Sequence, residues 1–257
     1  MAFRQVRMKE TMARWFQGLL SAVGGIFLLT ATMLASQRLV ERQAYDDLHE
    51  SAVESFEKVG TTDGIDWDSL RIQNPDIAGW LRVEGTPIDY PVVQIPMGSK
   101  RDSSYYLSHD FWKRRSFAGC PYLDERASTD GSHALIYGHH LGFSHEMFSP
   151  IFRAWKQEEF DGLGDAIWMT PNGGQQTFQP LCSLKVDASF APIQEFAFPN
   201  DASFRTWLLR LVEQATARTK DARERVRSAN RALTLITCAS TIGGQRARTL
   251  VVFAAEQ

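Results

Sequence analysis

Between Arg14 and Arg38 the chain runs for 23 residues, WFQGLLSAVGGIFLLTATMLASQ, without one ionisable side chain. At 1.5 Å rise per residue such a helix reaches about 35 Å, enough to cross a hydrocarbon core of roughly 30 Å. A buried helix of this length in a soluble domain seldom lacks a polar face. A cleaved signal peptide needs small residues at its cleavage site, whereas Met33 stands two places before Ala35 and Leu34 two before Ser36. Residues 15–37 therefore read as an uncleaved transmembrane anchor. Arg4, Arg7, Lys9 and Arg14 precede it, so the positive-inside rule puts residues 1–14 in the cytoplasm and the remainder outside, a single-pass topology that Arg38 and Arg42 oppose only weakly.

The 257 residues suffice for one good-sized domain besides the anchor. A net charge of −2 offers no clustered Lys and Arg with which to neutralise phosphates, so nucleic acid is excluded as a partner. Three cysteines, an odd number, cannot form a disulfide framework even in an oxidising compartment. Cys120 in FAGCPYL and Cys182 in PLCSLKV sit among apolar residues and read as small buried hydrophobes rather than as a mutual disulfide.

After the anchor, residues 38–70 read as a juxtamembrane helical segment: Tyr45, Leu48, Ala52, Phe56 and Val59 recur at helical spacing until Gly60, and a helical turn is expected from Asp66 to Ile72. Residues 71–257 form the main domain. WLRVEGTPIDYPVVQ has the look of a hairpin with edge character, because its β-branched residues are interrupted by glycine and prolines. HALIYGHH is a short strand ending at Gly138, His139 and His140; Met147, Phe148, Ile151, Phe152 and Trp155 fit one helical face; AIWMTPNGGQQTFQPL reads as two strands about Asn172-Gly173. Phe204, Trp207, Leu208, Leu211 and Ala215 mark a helix over 200–218 capped by Asn200 or Asp201, and ALTLITC and RTLVVFA are the last strands. Many short strands with few helices predict a mainly β, closed or nearly closed barrel.

Cys238 closes a β-branched strand, where a thiol can be exposed. If the next strand returns antiparallel, Arg248 comes to its side as a charge that never titrates. His139, at another strand end, supplies a group able to move protons near neutrality. Together they suit acyl transfer through a thiol nucleophile. Each residue also has a plainer reading: Cys238 as packing, Arg248 as a surface ion pair, and His139, His140 and His145 as metal ligands, although these lack the i, i+4 spacing of a zinc helix.

TLITC resembles the TLxTC signature of sortases, membrane-anchored cysteine transpeptidases; Arg248 in RARTLVVFA and His139 in LIYGHHLG fall at the family's other two motif positions. The likeness runs from about NPDIAGW to the C-terminus, and YYLSHDFWKRRSFAGCPYLDER and the helix at 200–218 resemble class B members. The resemblance implies a closed eight-stranded sortase-type β-barrel with peripheral helices. In it Cys238 attacks a carbonyl in the C-terminal sorting motif of a secreted protein and forms a thioester. Arg248 and the Ala239 N–H hold the oxyanion, and His139 serves the leaving and incoming amines. It implies a peptidoglycan precursor or a pilin lysine as amine donor, groove walls near the loop before the 200–218 helix and a strand around Leu107, and neither metal nor cofactor. Two departures stand out: Ala239 and Ser240 follow the cysteine where several relatives have acidic residues, and His140 adjoins His139. A thiol hydrolase without an amine acceptor, and a non-enzymatic surface binding module, are the alternative functions.

Overall fold

The computed structural model describes residues 2–54, 65–142, 144–172, 174–240 and 245–256. They divide into two compact units, Met1–Ser51 and Ala52–Gln257. The first is carried by one unbroken helix, α1 (Ala2–Glu54), which includes a segment long and apolar enough to cross a membrane. Phe27, Leu28 and Leu29 point outward with about seven-tenths of their surface exposed. Thr30, Thr32 and Ser36 return their hydroxyls to the carbonyls of Ile26, Leu28 and Met33 at 3.0, 2.5 and 2.8 Å. A bilayer supplies no water to hydrogen-bond polar groups, so these contacts let the hydroxyls lie in lipid without an unpaired donor. Tyr45 and Leu48 continue in α1, whereas Phe56, Val59 and Gly60 of the expected juxtamembrane helix lie outside the described residues.

The second unit opens with α2 (Trp67–Gln73), in which the Asp66 carboxylate accepts from the Ser69 N–H at 2.9 Å and so satisfies one orphan donor of the first turn. The strands are β1 (Ile77–Val83), β2 (Asp89–Val93), β3 (Tyr122–Leu123), β4 (His133–Tyr137), β5 (Ala166–Thr170), β6 (Gly174–Asp187), β7 (Ala217–Arg218), β8 (Ala229–Cys238) and β9 (Ala247–Glu256). In the order β5-β1-β2-β3-β4-β8-β9-β6, with β6 returning to β5, eight of them close a mixed barrel, and β7 adds a short ninth pairing on β6. The remaining helices are α3 (Gln157–Phe160), α4 (Asp201–Gln214) and α5 (Ala222–Ser228).

Side chains alternate across each strand, and the two hydrophobic clusters follow that period. Ala134 and Ile136 of β4, Leu233 and Leu235 of β8, and Val251 and Phe253 of β9 belong to the cluster filling the barrel. Leu135, Ala232, Ile236, Leu250 and Val252 face the other way, into a cluster shared with Phe204, Trp207, Leu208 and Leu211 of α4. That helix is the one the stripe predicts, capped by Asn200 through the Ser203 N–H, but it stops at Gln214, four residues short of the expected end.

Three local expectations are corrected. The β1–β2 hairpin forms but is not an edge, because β1 also pairs with β5 and β2 with β3; Pro91 is tolerated since the β2–β3 pairing begins beyond it, at Val93. Met147 to Trp155 make no α-helix. Met147 takes φ +52°, Pro150 removes a backbone donor, and the segment folds as a 3₁₀ turn, Ser149–Ile151, that still buries Met147, Phe148 and Ile151. Leu107 lies in a 3₁₀ turn, Tyr105–Leu107, rather than in a strand.

Candidate active site

Two neighbouring strands bring the sequence-predicted residues together around β8. On one side β9 is antiparallel, with Cys238 directly opposite Arg248. The Ala239 N–H donates to the Ala247 carbonyl at 3.0 Å, which makes Cys238 and Arg248 a non-hydrogen-bonded pair, the kind whose side chains lie closer. On the other side β4 is parallel to β8, pairing His133 with Ala232 through Tyr137 with Ile236, and the ladder continues from the Gly138 N–H to the Ile236 carbonyl at 3.0 Å. His139 follows that last bonded residue by one position, just past the end of β4. Alternation from Ile236 and Leu250 puts Cys238 and Arg248 on the outer face of the barrel. Cys238 and Arg248 thus share one face and one level on neighbouring strands, while His139 lies two residues past the end of β4.

The cysteines differ as the chemistry requires. Cys238 is half-buried, whereas Cys120 and Cys182 are buried, and none of the three forms a disulfide. Burial pushes the Cys182 thiol well above its ordinary range, and the Cys120 sulfur sits 3.6 Å from the Pro91 carbonyl. Both behave as the buried hydrophobes the sequence suggests. Arg248 Nη1 donates to the carbonyls of Gln245 and Ala247 at 2.8 and 3.1 Å, which orients the guanidinium at the start of β9. The Ala239 N–H, expected to face an oxyanion, is instead spent in the β8–β9 ladder on that same Ala247 carbonyl.

His139 and His140 separate cleanly. The His139 ring is held at Nε2 by the Leu107 carbonyl, 2.7 Å away. His140 stacks on Phe152 at 4.0 Å with Nδ1 3.2 Å from the Ser240 carbonyl, and burial lowers its pKa. Among the described residues no three His, Cys, Asp or Glu side chains gather as a metal-binding group.

The surroundings were not legible in the motifs. Tyr122 stacks on Tyr137 at 5.1 Å beside the site; burial, then the charges of Asp124 and Asp102, raise the Tyr122 phenol's pKa, and Arg248 opposes them. Burial pushes the Asp124 carboxyl up, yet hydrogen bonds from Arg126 and from the Tyr137 hydroxyl outweigh it and hold Asp124 below the ordinary carboxylate range. Arg126 in turn reaches Gln194 and lies over the Phe196 ring at 4.9 Å, fastening the segment before α4 to the barrel. A second buried carboxylate, Asp76, takes hydrogen bonds from Arg101 and the Tyr106 hydroxyl at 2.5 and 2.6 Å and an ion pair from Lys113 at 3.1 Å. Together these overcome its burial, keep it ionised, and lock the turn that carries Leu107.

No family model matches the chain. Sortase B of Listeria monocytogenes is 23% identical over 227 residues, 83% of this chain and 85% of that protein. Sortase B of Staphylococcus aureus is 30% identical over 97 residues, 37% of each. The crystal structure of Clostridium perfringens sortase B superposes with TM-score 0.62 at 28% identity, over 73% of this chain and 97% of that one. The chain is thus similar to class B sortases in both sequence and fold. The sortase B–substrate complex of S. aureus, at 24% identity, gives TM-score 0.71 over 85% of this chain and 97% of that one, so the barrel, helices included, is the sortase fold.

Proposed function

We propose that the chain is a membrane-anchored transpeptidase that cleaves a C-terminal sorting motif of secreted proteins and joins the new carboxyl end to an amine. The observation that supports it most is the pairing of Cys238 directly opposite Arg248, with His139 just past the end of β4, the other strand that flanks β8. The Cys238 proton passes to His139, and the thiolate attacks the scissile carbonyl. The oxyanion forms beside Arg248, whose planar fork supplies the charge-assisted donors. His139 returns its proton to the departing amine as the C–N bond breaks, which leaves a thioester on Cys238. The incoming amine loses a proton to His139, attacks the thioester and expels the thiol, restoring the site. Because the Ala239 N–H is engaged by Ala247, Arg248 carries the oxyanion unless that ladder bond opens.

The amine belongs to a peptidoglycan precursor or a pilin lysine, and water in its place gives hydrolysis. The segment 15–37 within α1 anchors the enzyme, with residues 1–14 cytoplasmic and the barrel outside. Incubating the chain, in detergent micelles, with a library of pentapeptide motifs and an amine acceptor tests the reading. Sequenced ligation products support it. Cleavage without ligation at any amine concentration would establish the hydrolase instead, and insensitivity to thiol alkylation would favour a binding module.

A further inference from the structure

The backbone around Gly119 is built for the His139 ring. Gly119 takes φ +68°, a conformation open to glycine and costly for other residues. A Cβ there would stand 2.5 Å from the Tyr106 carbonyl oxygen, 3.1 Å from that of Leu107 and 3.2 Å from His139 Cδ2. The two backbones lie this close because three hydrogen bonds draw them together: Ser116 N–H to the Ser108 carbonyl at 3.0 Å, Cys120 N–H to the Tyr106 carbonyl at 2.9 Å, and Gly119 N–H to Ser116 Oγ at 2.9 Å. The Cδ2–Nε2 edge of His139 therefore faces Gly119 and Leu107, on the β3 side of β4.

A carbonyl only accepts, so the 2.7 Å contact with Leu107 requires a hydrogen on Nε2. In a five-membered ring Nδ1 is the vertex opposite the Cδ2–Nε2 edge, and it is left for the other side of β4, where β8 and Cys238 lie. We infer that Leu107 and Gly119 are positioning residues. The Leu107 carbonyl fixes neutral His139 as the Nε2–H tautomer, Gly119 makes room for that contact, and Nδ1 is the atom that takes the Cys238 proton and gives it to the leaving amine. The inference rests on the transpeptidase reading for its chemistry, but the tautomer is a property of the resting protein. The Nε2–H stays bound to Leu107 in both protonation states, so the ring need not turn between accepting and donating its proton, and each proton that arrives at Nδ1 leaves from Nδ1.

The test uses the 257-residue chain, ¹⁵N-labelled at histidine and held in detergent micelles, with the His139 signals assigned by their loss in His139→Gln. Long-range ¹H–¹⁵N correlation of the neutral ring should show the hydrogen on Nε2 and a bare Nδ1. In Gly119→Ala the tautomers should mix and kcat should fall about 10- to 100-fold while KM changes less than about 3-fold. Ser116→Ala, which frees the Gly119 N–H without adding bulk, should shift both readouts the same way by less; it decides the matter should near-UV circular dichroism show Gly119→Ala unfolded. A neutral wild-type ring with its hydrogen on Nδ1 overturns the inference. So do folded variants that keep both tautomer and kcat. If the wild type shows the Nε2–H ring but ligates no peptide, the tautomer assignment is supported and the transpeptidase reading is what fails.

Discussion

Acidifying the solution from pH 7 to 4.5 should weaken the fold through His133, a residue outside the proposed catalytic trio. Its ring is fully enclosed, with Nδ1 2.8 Å from the Glu195 carbonyl, Nε2 2.9 Å from Thr234 Oγ1, and Phe196 and Trp207 at 5.6 and 4.7 Å. The carbonyl fixes Nδ1–H, so Nε2 accepts from the threonine and the neutral ring is fully satisfied. Burial is the dominant cause that lowers its pKa from 6.5 to about 4, against smaller opposing effects of the Glu195 carbonyl and Asp124. Between those values the unfolded chain holds a proton that the folded one refuses. Stability is therefore fully present above pH 6.5 and is lost as pH falls toward 4. Across 7 to 4.5 the linkage amounts to about 2 kcal/mol. Urea unfolding followed by near-UV circular dichroism, for wild type and His133→Gln at both pH values, isolates this effect, because the carboxylate contributions cancel in the difference. The wild type should lose about 2 kcal/mol more than the variant on acidification. An equal loss in both proteins, or a larger one in the variant, refutes the reasoning.

Arg248→Lys keeps the charge but loses the planar fork, and ligation kcat should drop about 10²-fold in a peptide–amine ligation assay with the fold intact. Gly138→Ala drives a Cβ to 2.5 Å from the Phe148 ring; the chain should lose about 1–3 kcal/mol of urea stability and misplace the adjoining His139, so ligation falls as well. Thr237 is buried and its hydroxyl finds no partner among the described residues. Thr237→Val should hold or raise stability by about 1 kcal/mol, measured by the same unfolding assay.

What the sequence announces about this molecule is what residue type and strand order can carry. The uncharged run after Arg14 announces a helix long and apolar enough to cross a membrane, and the structure has one there. The return of one strand upon the next makes Arg248 the neighbour of Cys238, and the observed pairing is that one. The parallel β4–β8 partnership that brings His139 to the other side joins residues about 100 positions apart, so it follows from barrel closure and not from local pattern. The periodicity of Met147 to Trp155 misleads because it reports burial faithfully while Pro150 and the left-handed Met147 forbid the helix. Leu107 and Gly119 escape motif reading for another reason: one acts through a backbone carbonyl that every residue possesses, the other through the absence of a side chain. Ala239 shows the converse case. A backbone N–H can be assigned a role from sequence order alone, but its availability depends on whether the ladder extends one residue further, as it does here.

The central claim is that the Cys238 sulfur becomes acylated. Intact-mass spectrometry of the chain quenched during turnover of a cleavable sorting peptide without added amine, followed by peptide mapping, tests it most directly. The account predicts one acyl adduct on the fragment carrying Cys238, discharged by adding an amine and absent from Cys238→Ala, which should also be inactive. An adduct on Cys120 or Cys182, or undiminished ligation by Cys238→Ala, would contradict it.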